Sequence, residues 1–438
     1  MKILFTVRAL SHFSYIEPIA KELNRKGHSV DLLFDKKWSG RDSDHTVKWF
    51  ITYHKFVRVG WLSYRKDFWR RIIFLWREIK SYLSYTDRNQ SEYYLNRWNG
   101  YLPFLIKHIV KIKLIQLILK RINLEGIVPP DTGISSKVRD YDMVIATPCN
   151  HRFSEEIEYI KAAKVVGVPT AIVVLSWDNL TTKGLFHVVP DVLLVWNESQ
   201  LWESVRIHDI PYDKIKIIGA PFFEKWAYML GRAESRKLFC SRVGMDPERK
   251  FFMYAGSSSK IAKDEKWLIE KLHKALPEYQ ILFRPHPANH RQYFNLNMKD
   301  VFVFPQTGAL PECWSRQREL YNSIRHCEFV IGINTSAMLD AIIHDKPTIA
   351  FITEKYEDTQ IKASHFKPLS KAMYLCHCVN DVKILVSDLS DFYGATRREF
   401  VKDYIFPEGK LVGENAVNVI ESQSKHIGIG KGQLCGKG

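Results

Sequence analysis

MKILFTVRALSHFSYIEPIAKELNRKGHSVDLLFD, residues 1–35, reads as strand, helix, strand. Ile3 to Val7 is a short apolar run. Residues 14–26 then carry Ile16, Ile19, Ala20 and Leu23 at helical spacing, and Gly27 closes the helix. Val30 to Phe34 is the next strand. A unit this compact predicts parallel pairing through a crossover helix, and hence an α/β fold.

Further along, the alternation breaks and resumes. Residues 36–125 hold 19 Lys or Arg against 7 Asp or Glu, most of the chain's net charge of +16, and include Trp38, Trp61, Trp69, Trp76 and Trp98. Within them, residues 102–120 (LPFLIKHIVKIKLIQLILK) form one apolar helical pattern studded with lysines. Strands are predicted again at 142–147, 169–175, 192–196 and 214–219, and Gly219-Ala220-Pro221 punctuates the last. A second series follows, with strands at 250–255, 280–284, 301–304, 328–333 and 347–352 separated by helical patterns. The expected architecture is two tandem Rossmann-like, doubly wound parallel-sheet domains facing a cleft. Residues 1–222 form the first, with the basic insert 36–125; residues 223–423 form the second; and 424–438, rich in Lys and Gly, form a flexible tail.

Composition bounds the function. At 438 residues, 46% hydrophobic and 26% charged, the chain is globular and long enough for two domains. A pI near 9.3 favours an anionic partner: nucleic acid, an acidic membrane surface or a phosphorylated substrate. No run of about 18 uncharged apolar residues predicts a spanning helix. Polar Ser11, His12 and Ser14 follow the opening apolar run too closely for a secretory signal. Seven scattered cysteines suit reduced thiols, and Cys376-His377-Cys378 lacks a second ligand pair. A cytoplasmic protein, peripheral at most on the inner membrane face, with no metal and no cofactor, is expected.

In open parallel sheets, ligands bind at the carboxyl ends of the strands. The second series loads that edge three times. Gly256-Ser257-Ser258-Ser259 is expected to open a helix, offering small hydroxyl residues and free backbone amides to an anion. Arg284-Pro285-His286-Pro287 sets a cation and an imidazole on a turn stiffened by two prolines. Asn334-Thr335-Ser336 opens a helix that carries Asp340 one turn in, where a carboxylate suits ribose hydroxyls. Each motif is also compatible with an ordinary helix cap or rigid turn; their recurrence on one edge points to a phosphate or nucleotide. In the first domain, His12 follows the first strand as a candidate general base. Trp177, Asp178 and Asn179 follow another strand; Asp178 is an alternative base, while Trp177 and Asn179 suit a hydroxyl-rich acceptor. The bland readings are a solvated loop histidine and a simple Asp-Asn turn.

These residues resemble a B-type-fold (GT-B) glycosyltransferase. SHFSYIEPIAKELNRKGHSV is similar to the opening of many such enzymes, in which a histidine after the first strand activates the acceptor; His12 occupies that loop. INTSAMLDAIIHDKPTI resembles the donor segment whose Ser/Thr-led helix holds phosphate and whose acid, here Asp340, grips ribose. RPHP with the later Thr-Ser pair resembles bacterial surface-polysaccharide transferases that use cytidine-activated donors, and their His-Pro pair maps to His286-Pro287. SWDNLTTKG, PDVLLVWNESQ, IIGAPFFEKW, GINTSAMLDA and TQIKASHF resemble, in order, bacterial proteins classed as glycosyltransferases, over roughly residues 140–370.

The resemblance implies transfer from a nucleotide-sugar donor to a glycan or lipid-linked acceptor in surface-polysaccharide synthesis, metal-independent and inverting. Insert 36–125 suits an anionic membrane surface, the alternative being that helix 102–120 packs into the first domain with its lysines outward. A nucleotide-sugar 2-epimerase shares the two-domain plan but needs several acid–base carboxylates, of which Asp178 is the one in evidence. A nucleic-acid-binding or scaffold protein on the same fold explains the charge but leaves the three donor motifs without a role.

Overall fold

The structure is a computed structural model that describes all residues except 41–44, 89–90, 230, 309–312, 390–393, 410 and 435–438. By contacts the chain divides into one unit made of Met1–Glu224 with Tyr404–Gly438, and another made of Lys225–Asp403.

The first unit is built on a seven-stranded sheet. Its strands are β1 (Lys2–Val7), β2 (Ser29–Phe34), β3 (Val57–Trp61), β4 (Met143–Thr147), β5 (Thr170–Val173), β6 (Val192–Val195) and β7 (Ile215–Ile217), in the order β3-β2-β1-β4-β5-β6-β7. The second carries six: β8 (Phe251–Ala255), β9 (Gln280–Arg284), β10 (Val301–Val303), β11 (Val330–Gly332), β12 (Thr348–Phe351) and β13 (Tyr374–Cys376), ordered β10-β9-β8-β11-β12-β13. All pairings are parallel, with Ile3 opposite both Val30 and Met143, and Ile331 opposite both Tyr254 and Ile349. Strands covered on both faces need apolar residues throughout, and β4, β5, β6, β8 and β9 are buried end to end. The two doubly wound α/β domains expected from the sequence are therefore present.

The domain ends differ from the sequence reading. The second unit stops at Asp403 rather than 423, because the helix Val412–Leu434 packs on the helix Glu17–Arg25 of the first unit. Gly413 makes that approach possible: a Cβ there would lie 2.5 Å from the Pro18 carbonyl oxygen. Its N–H donates to Glu224 (2.7 Å), and Glu421 takes Lys26 at 3.0 Å and His28 at 2.9 Å. The tail expected to be flexible is helical through Leu434; 435–438 lie outside the described residues.

The insert is structured as well. It supplies β3, the outer strand of the first sheet, and the helices Trp69–Asp87 and Glu92–Tyr101. The single helix expected over 102–120 is two, Phe104–Ile109 and Lys113–Arg121. Part of the positive charge is internal. Arg65 and Arg77 grip the fully buried Glu158 at 3.0 and 2.6 Å, and Arg77 also reaches Glu125 at 2.5 Å, which Lys161 approaches at 3.1 Å. Glu158 sits on the helix Glu156–Val165, so these ion pairs fasten the insert to the sheet's covering layer. Removing one member of such a group strands buried charge, at about 3–5 kcal/mol. Glu158→Ala is expected to lower the unfolding free energy of the first unit, measured by urea titration, by that order, whereas Lys164→Ala on the exposed side of the same helix stays within about 0.5 kcal/mol.

Candidate functional site

In the second unit, the strand order reverses between β8 and β11, so their following connections diverge and leave a crevice at the carboxyl edge. The loop Gly256–Ser259 after β8 and Asn334–Ser336 after β11 lie at that point, and Ser257 Oγ accepts the Asn334 N–H at 3.4 Å. Beside them β9 ends in Arg284, which is 5% exposed. Both terminal guanidinium nitrogens, Nη1 and Nη2, are buried without a hydrogen-bond partner. Burial lowers its pKa to about 10, which leaves it charged at neutral pH. A dry cation with two vacant donors is costly to the fold unless an anion completes it.

The next residues extend that donor set. His286 Nδ1 accepts the Ala288 N–H at 3.0 Å, so in the neutral ring the proton resides on Nε2 as a donor. Burial holds the imidazole neutral, with a pKa of about 4. Gly308, at φ +62°, clamps this turn from outside; a Cβ there would lie 2.8 Å from Pro285 O and Pro287 N. The helix Ser336–Ile343 starts at Thr335, whose side chain makes no capping bond. Thr335 is half-buried and Ser336 exposed, leaving hydroxyls at a helix start.

Three expectations for this edge change. Gly256-Ser257-Ser258-Ser259 does not open a helix directly, since the next one begins at Lys266. Its first two amides are engaged: Gly256 N–H on Arg284 O (2.9 Å) and Ser257 N–H on Glu265 (2.8 Å). Ser258 and Ser259, half-buried, are what the loop presents. Asn334 is structural: it is 5% exposed, and its amide donates to Thr359 O. Asp340 is buried, with Oδ1 accepting the Trp226 indole N–H at 2.8 Å, so a packed tryptophan holds the oxygen expected to grip ribose. Glu265 was not singled out in the sequence. It supports the loop through Ser257 and Tyr254 (3.1 Å), and burial raises its pKa to about 8.

In the first unit the strand order reverses between β1 and β4. The loop after β1 brings Arg8 and His12, and that after β4 brings His151, which stacks on His12 with centroids 5.9 Å apart. Nδ1 of each histidine is buried without a partner. Burial, reinforced by Arg8 and Lys183, pushes the His12 pKa down to about 3, and His151 falls well below its usual value for the same reasons. Both rings are thus neutral bases in cationic surroundings. Arg8 donates to Arg152 O at 2.7 Å and lies 4.2 Å from the Trp38 ring, while its Nη1 has no partner.

The other first-unit candidates are placed differently. Asp178 accepts from Ser176 (2.7 Å), Thr182 (2.8 Å) and Lys183 (3.0 Å), so both of its oxygens are engaged within its own loop. Asn179 is fully buried, donating to Asn150 Oδ1 at 2.8 Å and accepting the Leu175 N–H at 3.3 Å; it ties two loops together rather than meeting an acceptor. Trp177 is 9% exposed and packs inward. Arg8 and His151 were missed by the sequence reading, although each follows a strand closely enough for the same edge argument to reach it.

The insert contributes a cavity of about 700 Å³ within this unit. Phe74, Tyr101 and Phe153 give it aromatic walls, and the Arg152 guanidinium lies 4.1 Å from the Tyr101 ring and 4.4 Å from that of Phe153. Glu155, 2% exposed, pairs with Arg70 through one oxygen, while Oε2 has no partner; burial raises its pKa to about 7. Aromatic faces with a few convergent polar groups suit a sugar-sized polar ligand. Among the described residues no group of three or more His, Cys, Asp or Glu is placed to hold a metal ion, and the Cys378 thiol caps the helix Val379–Ser387.

No family model matches the chain, and no curated protein matches it. Solved structures do. The UDP-GlcNAc 2-epimerase of Neisseria meningitidis bound to UDP-GlcNAc is similar with a TM-score of 0.54 at 10% identity, over 97% of this chain and 100% of that one. The UDP-GlcNAc 2-epimerase of Methanocaldococcus jannaschii gives 0.55 at 13%, over 96% and 100%. The wall teichoic acid polymerase TagF gives 0.51 at 9%, over 97% and 89%. At these identities the likeness is one of fold: two parallel-sheet α/β units, shared by epimerases and by a polymerase.

Proposed function

We propose that the chain binds a nucleotide-activated sugar through Lys225–Asp403 and transfers the sugar to a glycan or lipid-linked acceptor. The observation that carries the first half is Arg284, a buried, charged guanidinium with two vacant donors at the sheet edge. The donor's phosphates would take those nitrogens, the Nε2–H of His286, and the hydroxyls and helix start at Thr335–Ser336. Together these meet the charge that develops on the leaving phosphate. The cavity walled by Tyr101 and Phe153 supports the second half, because transfer needs room for an acceptor. His12, neutral and with an open Nδ1, is the proposed base toward the acceptor hydroxyl, with His151 as its companion. The resemblance to surface-polysaccharide transferases supports a part in that biosynthesis.

A 2-epimerase is the second reading, and the solved neighbours favour it more directly than they favour transfer. Against it stands the state of Asp178, held by three donors where that chemistry calls for mobile acid–base carboxylates. Incubation with UDP-GlcNAc separates the two: conversion of the sugar to its 2-epimer without any acceptor supports the epimerase, while nucleotide release that rises only with added glycan acceptor supports transfer.

Two further outcomes are expected. Arg284→Met replaces an unpaired buried charge with an apolar chain of similar length, so the free protein should melt higher than the parent. The stabilisation by one member of a UDP, CDP, CMP, GDP and ADP panel, about 2.7 kcal/mol at a hundredfold excess over Kd in the parent, should disappear. An unchanged nucleotide shift in Arg284→Met would remove this residue from the site. For His12 the sign follows from its depressed pKa: the unfolded chain takes up a proton near 6.5 while the folded one resists it to about 3. Folding stability therefore falls as pH drops through that window. His12→Asn should lose less stability between pH 7 and 5 than the parent, and should turn over about 10²–10⁴ more slowly.

A further inference from the structure

The helices Phe104–Ile109 and Lys113–Arg121 contain no fully buried residue, although their sequence is strongly apolar. Leu119 packs inward on the cluster formed by Ile73, Phe74 and Trp76. On the outside, Phe104, Leu105, Ile112, Leu114, Leu117 and Ile118 are each more than half exposed. Leu114, Leu117 and Ile118 fall at i, i+3 and i+4, one continuous stripe of a helix whose opposite face is already satisfied. An apolar stripe this long on a soluble surface calls for a covering partner.

Charge identifies that partner. Residues 102–124 contain Lys107, Lys111, Lys113, Lys120 and Arg121 and no Asp or Glu. Lys120 is already paired with Asp87 at 2.6 Å. A protein partner for an apolar stripe needs apolar surface of its own, while a partner for the other four cations needs negative charge. An anionic bilayer presents both, acyl chains beneath phosphate headgroups. We propose that residues 104–122 lie flat in the headgroup region of an anionic membrane, the apolar stripe inserted and the lysines against lipid phosphate. The chain enters this face directly from Tyr101 and Pro103, which line the insert cavity, so a lipid-linked headgroup would reach the cavity without leaving the membrane surface. The docking itself does not depend on which reaction the protein performs.

Vesicle flotation of the full chain tests it, with phosphatidylcholine alone and with phosphatidylcholine containing phosphatidylglycerol. The parent should float with the anionic vesicles at low salt and not with the neutral ones. Leu117→Glu with Ile118→Glu changes exposed positions, so an unchanged melting temperature certifies the fold, and this variant should stay at the bottom of the gradient. Lys111→Gln and Lys113→Gln should each weaken anionic-vesicle binding about fivefold. Absence of parent flotation with phosphatidylglycerol overturns the proposal. So does a parent that is dimeric in solution and becomes monomeric in the Leu117→Glu, Ile118→Glu variant, since a second copy would then cover the stripe.

Discussion

Parallel pairing constrains everything else in this molecule. A strand that runs alongside its predecessor in the same direction must be reached by a crossover, so each strand's carboxyl end opens on one common edge. Where successive crossovers depart to opposite sides, the edge gapes. Each sheet has one such place, between β1 and β4 and between β8 and β11, and the unusual polar residues gather there: Arg8, His12 and His151 on one sheet, the Ser257–Asn334 junction beside Arg284 on the other. Location on the fold thus does much of what a long conserved motif would otherwise have to do.

Arginine has two opposite uses in the same interior. Arg65 and Arg77 are buried with carboxylates around them and serve as rivets between the insert and the helix Glu156–Val165. Arg284 is buried almost as deeply, yet both of its terminal nitrogens lack a partner, where Arg77 leaves only Nη1 unpaired. An unmatched buried charge weakens a fold and a matched one need not, so the burden falls more heavily on Arg284 than on Arg65 or Arg77.

The fold was legible because its strands are short apolar runs between turn residues, a pattern that depends only on local sequence. β3 and β13 were not: VRVGW carries an arginine and a glycine and leaves Arg58, Val59 and Trp61 exposed, and Tyr374–Cys376 is three residues long. The placement of Arg284 and His286 at the carboxyl edge of β9 was readable from the stiff RPHP turn. Asp340 and Asn179 misled: polar residues just beyond strands look poised for ligands, and whether they instead bind Trp226 or Asn150 depends on partners 114 and 29 residues away. The return of the last helix was equally hidden, because it rests on Gly413 meeting Pro18 and on Glu421 meeting Lys26.

That return has a consequence for how the molecule is made. The unit Lys225–Asp403 is one uninterrupted stretch and has all its residues once Asp403 has been added; the other lacks its closing helix until the residues beyond 403 have followed. Until then Glu224 has no Gly413 amide to accept, and the helix Glu17–Arg25 has no cover. The unit that starts earlier in the chain is thus the later of the two to reach its complete form, and a ribosome that stalls after residue 403 leaves Met1–Glu224 without its closing helix while Lys225–Asp403 is whole.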